Sequence, residues 1–196
     1  MRTKIAVSAL AAVLLAAGVI VISRQSVVRG DLADVRVSMA MNEASGWPRI
    51  SRMVAGVMIE KYGAPDRVSP GRLEWGQRRP WKRTVVTDHP LSPLEQTVDY
   101  VVPEPRVAAV AAFRHGLAVD TDQDELTVRS DREEMSFLAL NLAHDIARGR
   151  RTPEESDRFF LRTLDLGFAG KSSPYTEGLR FRPHDLEPYR PPFPIQ

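Results

Sequence analysis

"RLEWGQRRPWKRTVVTDHPLSPLEQTVDYVV", residues 72–102, decides the fold class. Three runs within it, "RLEWG", "WKRTVVTD" and "EQTVDYVV", are rich in β-branched and aromatic residues. Between them stand "GQRRP" and "HPLSP", whose glycine and prolines suit tight connections. Strands joined this closely run antiparallel, because a parallel pair needs a crossover of a dozen or more residues.

Working outward, Ile50, Met53, Val54, Val57 and Met58 fall at offsets 0, 3, 4, 7 and 8, the stripe of an amphipathic helix. Gly63 can end it in a left-handed conformation, and Pro65 stops any continuation. Downstream, "PEPRVAAVAAFRHG" predicts a short helix closed by Gly116, and "LAVD" with "ELTVRS" a hairpin around "TDQD". Ser130 with Glu133, and Thr152 with Glu155, read as capping boxes that open two further helices separated by Gly149. Met135, Leu138, Ala139, Leu142 and Ile146 form the apolar stripe of the first; Phe160, Leu161, Leu164 and Phe168 form that of the second. The order predicts an α+β fold, an antiparallel sheet of about five strands covered on one face by about four helices.

An N-terminal hydrophobic helix is expected to precede this domain. Residues 5–22 are apolar apart from Ser8, follow Arg2 and Lys4, and as a helix would reach about 27 Å, near the hydrocarbon thickness of a bilayer. Residues 1–23 therefore read as a signal anchor, with a cleaved signal peptide as the alternative. The N-terminal basic flank places the following domain outside the cytoplasmic membrane as a single-pass protein, or free in the periplasm or medium after cleavage. Residues 24–46 read as a juxtamembrane linker, 47–181 as one domain, and 182–196, with five prolines, as a Pro-rich tail.

The 196 residues include no cysteine, which excludes disulfides, thiolate catalysis and a Cys-based metal site. With 27 basic and 25 acidic residues, bulk charge does not argue for nucleic acid. Nothing in the sequence calls for a cofactor.

"EKYGAPDRVSP", "LEWGQRRPWKRTVV", "LEQTVDYVVP", "EEMSFLALNLAHDIARGRRTPEE" and "PYTEGLRF" together resemble a family of small, functionally uncharacterised bacterial proteins. The resemblance spans roughly residues 50–181 and implies no activity. Relatives carry a His-rich segment where "TDHPLSP" keeps only His89, and their late hairpin has Asp-Gly-Ser and Arg-Thr-x-Gly-Glu patterns that are missing here. The helix ending in "YGAPD" before a Trp-containing hairpin also looks like small outer-membrane assembly lipoproteins, without their lipidated cysteine.

Three surfaces hold candidate functional residues. Asn141, His144 and Asp145 lie within about a turn of one another in an otherwise apolar run; His144, Asp145 and His89 are the candidates for acid–base catalysis. Neighbours on a helix diverge by about 100°, so His144 and Asp145 do not face one target, and the alternative is polar residues satisfied by a nearby loop. Asp120, Asp122 and Asp124 alternate like the start of a calcium loop, but Glu125 stands where that loop needs glycine. Arg67, Arg72, Arg78, Arg79, Lys82 and Arg83, interleaved with Trp75 and Trp81, suit lipid headgroups or an anionic envelope component, unless the tryptophans belong to the core. The sequence thus predicts a membrane-tethered binding or envelope-assembly domain whose protein partner is unspecified. A hydrolase-like enzyme and an anion-binding module are the alternatives.

Overall fold

The computed structural model describes residues 32–183, which contain five α-helices and a six-stranded antiparallel sheet. In chain order these are α1 (32–45), α2 (Arg49–Tyr62), β1 (Arg67–Ser69), β2 (Arg72–Trp75), β3 (Arg83–Thr87), β4 (Leu94–Asp99), α3 (Val107–Ala112), β5 (Leu117–Asp120), β6 (Glu125–Ser130), α4 (Glu133–Ala147) and α5 (Pro153–Phe168). A 3-10 turn, Glu104–Arg106, leads into α3. The apolar run 5–22 and the tail from 184 onward lie outside the described residues. Among the described residues no helix is long and apolar enough to cross a membrane.

The strand order is β1-β2-β3-β4-β6-β5. The register pairs Leu73 with Val86, Val86 with Leu94, Gln96 with Val128 and Val98 with Leu126, so these side chains share one face. All are fully buried, because the helices cover that face. The opposite face carries polar ladders: Thr97 beside Thr127, and Glu95 paired with Arg129. Two apolar clusters fill the interface. Ala40, Ala44, Trp47, Val54, Ala55 and Met58 pack with Leu73, Trp75, Val86 and Leu94 at one end. At the other, α3, α4 and α5 close over Val98, Leu126 and Val128.

Two elements correct the sequence reading. Residues 32–45, expected within the linker, are helical, with Ala40 and Ala44 buried one turn apart and Trp47 buried just beyond the helix end. Strand β1 pairs with β2 across Pro70–Gly71, adding a sixth strand. The expected box at Ser130 is also absent. Arg132 is the N-cap of α4 without a side-chain cap bond, and Ser130 Oγ donates to the Arg132 carbonyl. The Thr152–Glu155 box is complete in both directions. The stripe assigned to α5 is narrower than its sequence suggests: Phe160 is buried, whereas Leu161 and Phe168 are exposed.

Gly149 has φ of +69°, and the N–H groups of Gly149 and Arg150 close onto the carbonyls of Ile146 and Asp145. This is a Schellman end, which needs a left-handed residue that glycine alone supplies without strain. It turns the chain so that Arg150 and Arg151 return beside α4.

Candidate functional site

The polar residues of α4 hold one segment of chain, residues 175–181. Asn141 is almost fully buried; its Nδ2 donates to the Tyr175 and Gly178 carbonyls at 3.0 and 2.8 Å, and its Oδ1 accepts from the Arg180 N–H at 2.7 Å. The Asp145 carboxylate accepts from Tyr175 Oη at 2.7 Å and from Arg151 Nε at 3.0 Å, with Arg150 at 3.5 Å. His144 stacks on Phe181 with ring centroids 4.7 Å apart, and its Nδ1 lies 2.8 Å from Tyr100 Oη. Burial, together with the nearby Arg150 charge, lowers the His144 pKa to about 4. Burial likewise pushes the Tyr100 phenol up to about 12. At neutral pH this histidine is an uncharged packing group.

The fold therefore separates the three expected catalytic candidates. His144 faces Tyr100 and Phe181, and Asp145 faces Arg150, Arg151 and Tyr175. His89 lies on an exposed loop where its Nδ1 accepts the N–H groups of Leu91 and Ser92. It lines a cleft of about 730 Å3 together with His115, whose Nε2 lies 3.0 Å from Asp157 Oδ1 and whose ring stacks on Phe160 at 3.9 Å. Neither His144 nor Asp145 lines that cleft.

Held by Asn141 and Asp145 is a concave site of about 630 Å3 whose lining is dominated by guanidinium groups. Arg150, Arg151, Arg158, Arg162 and Arg180 converge there from the α4–α5 turn, from α5 and from the 175–181 segment. Two aromatic rings back them. Arg151 lies 4.4 Å over Phe159, Arg162 lies 5.9 Å from the same ring, and Arg180 lies 5.1 Å over Tyr175. Phe159 and Tyr175 pack on each other at 4.9 Å. Among the described residues the acids lining the site are Asp145 and Glu155, and both are engaged: Glu155 accepts the Thr152 N–H of the capping box. Guanidinium groups fixed over aromatic faces keep their N–H forks oriented for carboxylate or phosphate oxygens.

The Arg/Trp hairpin is built differently from its expected binding role. Trp75 and Trp81 are 0% and 1% exposed, and Trp75 Nε1 donates to the Gly63 carbonyl at 3.0 Å. Most of the basic side chains are paired. Arg67 and Arg72 lie beside Glu74, Arg78 is 2.9 Å from Asp66, Lys82 bridges Asp99 and Glu125 at 2.7 and 2.8 Å, and Arg83 is 3.8 Å from Glu125. Arg79 is exposed beside Pro80. In the late hairpin, Asp120 Oδ1 accepts the Asp122 and Gln123 N–H groups, closing a turn, and Asp124 takes φ of +52°. Among the described residues no group of three or more His, Asp or Glu side chains could hold a metal ion.

Glu133, expected as a cap residue, is instead a buried hub. Its carboxylate takes hydrogen bonds from Lys61 and Tyr62, from Trp81 Nε1 at 2.8 Å and from Gln96 Nε2 at 3.1 Å. Burial alone would raise its pKa, but the four donors together hold it below the ordinary carboxylate value. The sequence reading also missed the arginine site. Its signal was the run "RGRRTPEESDRFFLR", in which Arg158 and Arg162 stand one turn apart on the helix that Arg150 and Arg151 introduce.

No family model, curated protein or solved structure matches this chain.

Proposed function

We propose that this chain is a membrane-tethered extracytoplasmic binding or envelope-assembly domain, and that its ligand is a multivalent oxyanion. The observation that carries the reading is the convergence of five arginines on one concavity against two engaged carboxylates. Such a site attracts phosphate- or carboxylate-bearing groups and repels cations. This moves the anion-binding role from the Arg/Trp hairpin, where Trp75 and Trp81 are core residues, to the α4–α5 end of the domain. The tether rests on the apolar run 5–22 and its basic flank.

Equilibrium titration of the detergent-solubilised full chain with inorganic pyrophosphate tests the ligand class. Saturable binding is expected that weakens steeply with added salt and falls at least ~10-fold in Arg158→Ser/Arg162→Ser, a loss of about 1.4 kcal/mol. Absence of saturable binding at low salt, or equal binding by the double variant, rejects the reading. Extraction of membranes with alkaline carbonate tests the tether, and recovery of the intact chain in the supernatant removes it.

A further inference from the structure

We infer that the exposed apolar faces of α1 and α2 form a lipid-apposed surface that seats the domain against the bilayer. Leu32, Val35 and Met39 on α1 repeat the 0, 3, 7 spacing of Ile50, Met53 and Val57 on α2, and all six are between 39% and 58% exposed. On each helix the core contacts occupy an adjoining face: Ala40 and Ala44 on α1, and Val54, Ala55 and Met58 on α2. The exposed residues are therefore surplus to packing on the sheet. Ile50, Met53 and Val57 also line a groove of about 450 Å3 between α2 and the start of α4. Repeated apolar exposure on two consecutive helices is the signature of an interaction surface.

Chain geometry identifies the occupant. Only residues 23–31 separate the apolar run 5–22 from Leu32. Fully extended, that connection spans at most ~34 Å, so an inserted anchor keeps α1 close to the headgroups. Arg49 and Arg52 flank Ile50 and Met53, placing cations beside side chains that enter the acyl boundary, the arrangement of an interfacial helix. The arginine site lies elsewhere. Glu133, at the start of α4, touches α2, whereas Asp145 lies twelve residues on, about 18 Å along the helix.

This inference rests on the tether proposed above, and one experiment separates the two. Because the chain has no cysteine, single-cysteine variants of the full chain take a unique fluorophore. Met39→Cys, Met53→Cys, Leu161→Cys and Ser8→Cys are labelled and reconstituted in phosphatidylglycerol-containing vesicles with brominated acyl chains. Labels at 39 and 53 are expected to lose roughly half or more of their emission, because interfacial side chains reach the depth of the bromines. Leu161, exposed on α5, serves as the unquenched control. Quenching at 8 without quenching at 39 and 53 overturns the lipid face and leaves the tether standing. Quenching at 39 and 53 with the leader cleaved or unquenched supports the face and removes the tether. Crosslinking between two Met53→Cys chains without quenching assigns the surface to a second copy and also overturns the inference.

Discussion

Asn141 Oδ1 accepts the Arg180 N–H at 2.7 Å, joining two residues 39 positions apart in the chain. With its two Nδ2 bonds, this one buried amide satisfies three backbone groups of the segment that carries Arg180. A long-range amide clamp of this kind fixes a loop without secondary structure of its own.

Asn141→Ala is therefore expected to cost about 2–3 kcal/mol, since three partners lose a buried hydrogen bond together. Limited proteolysis checks it, with cleavage appearing within residues 173–181 and pyrophosphate binding weakening as Arg180 loses its position. An unchanged digestion pattern would show that Asn141 does not hold the segment.

Glu133→Ala should be among the most damaging single changes, about 3–4 kcal/mol, because Trp81 and Gln96 would keep buried donors without an acceptor. Glu133→Gln should lie between it and the wild type. Chemical denaturation of the three proteins measures the order, and a Glu133→Ala protein as stable as the parent contradicts the hub.

His144 gives the acid side of the stability profile a defined sign. Its folded pKa, about 4, lies below its ordinary 6.5, so between those values the unfolded chain takes up a proton that the folded chain refuses. Stability is full above pH ~6.5, falls as the pH drops toward ~4 and then levels with respect to this group. Glu133 adds its own loss only below its ordinary value of 4.5. Denaturation midpoints across pH 4–7 should flatten in His144→Gln, and an unchanged slope assigns the dependence to other groups.

The two arginine clusters should separate on mutation. Arg78→Ser/Arg79→Ser/Arg83→Ser, in the hairpin, is expected to leave pyrophosphate affinity within about twofold, because Arg78 and Arg83 face Asp66 and Glu125. Arg158→Ser/Arg162→Ser should lose affinity while stability stays within about 0.5 kcal/mol, as for other exposed sites. Equal losses of binding from both sets would indicate diffuse basic attraction with no discrete site.

Local chemistry was legible wherever it was self-contained. The β-branched and aromatic runs "RLEWG", "WKRTVVTD" and "EQTVDYVV" with short connections determined antiparallel pairing, because a parallel pair needs a crossover of a dozen or more residues. The Thr152–Glu155 box and the turn at Gly149 followed from neighbours alone. Residues whose partners lie far along the chain were not legible. Ser130 and Glu133 have the spacing of a cap, yet Glu133 points to Lys61 and Tyr62, more than 70 positions earlier, because four convergent donors outweigh one backbone N–H. In residues 32–45 the larger apolar side chains Leu32, Val35 and Met39 stay exposed, and the small Ala40 and Ala44 became core residues only once β2 and β3 offered a surface. By itself, then, the sequence determined the α+β class, the antiparallel character of the sheet and the polar trio on α4. Only the tertiary structure decided that Trp75 and Trp81 point inward and that Asn141, His144 and Asp145 brace the 175–181 segment. Only it brought five arginines from three segments into one concavity, since electrostatic fields and buried hydrogen bonds depend on distance in space and not along the chain.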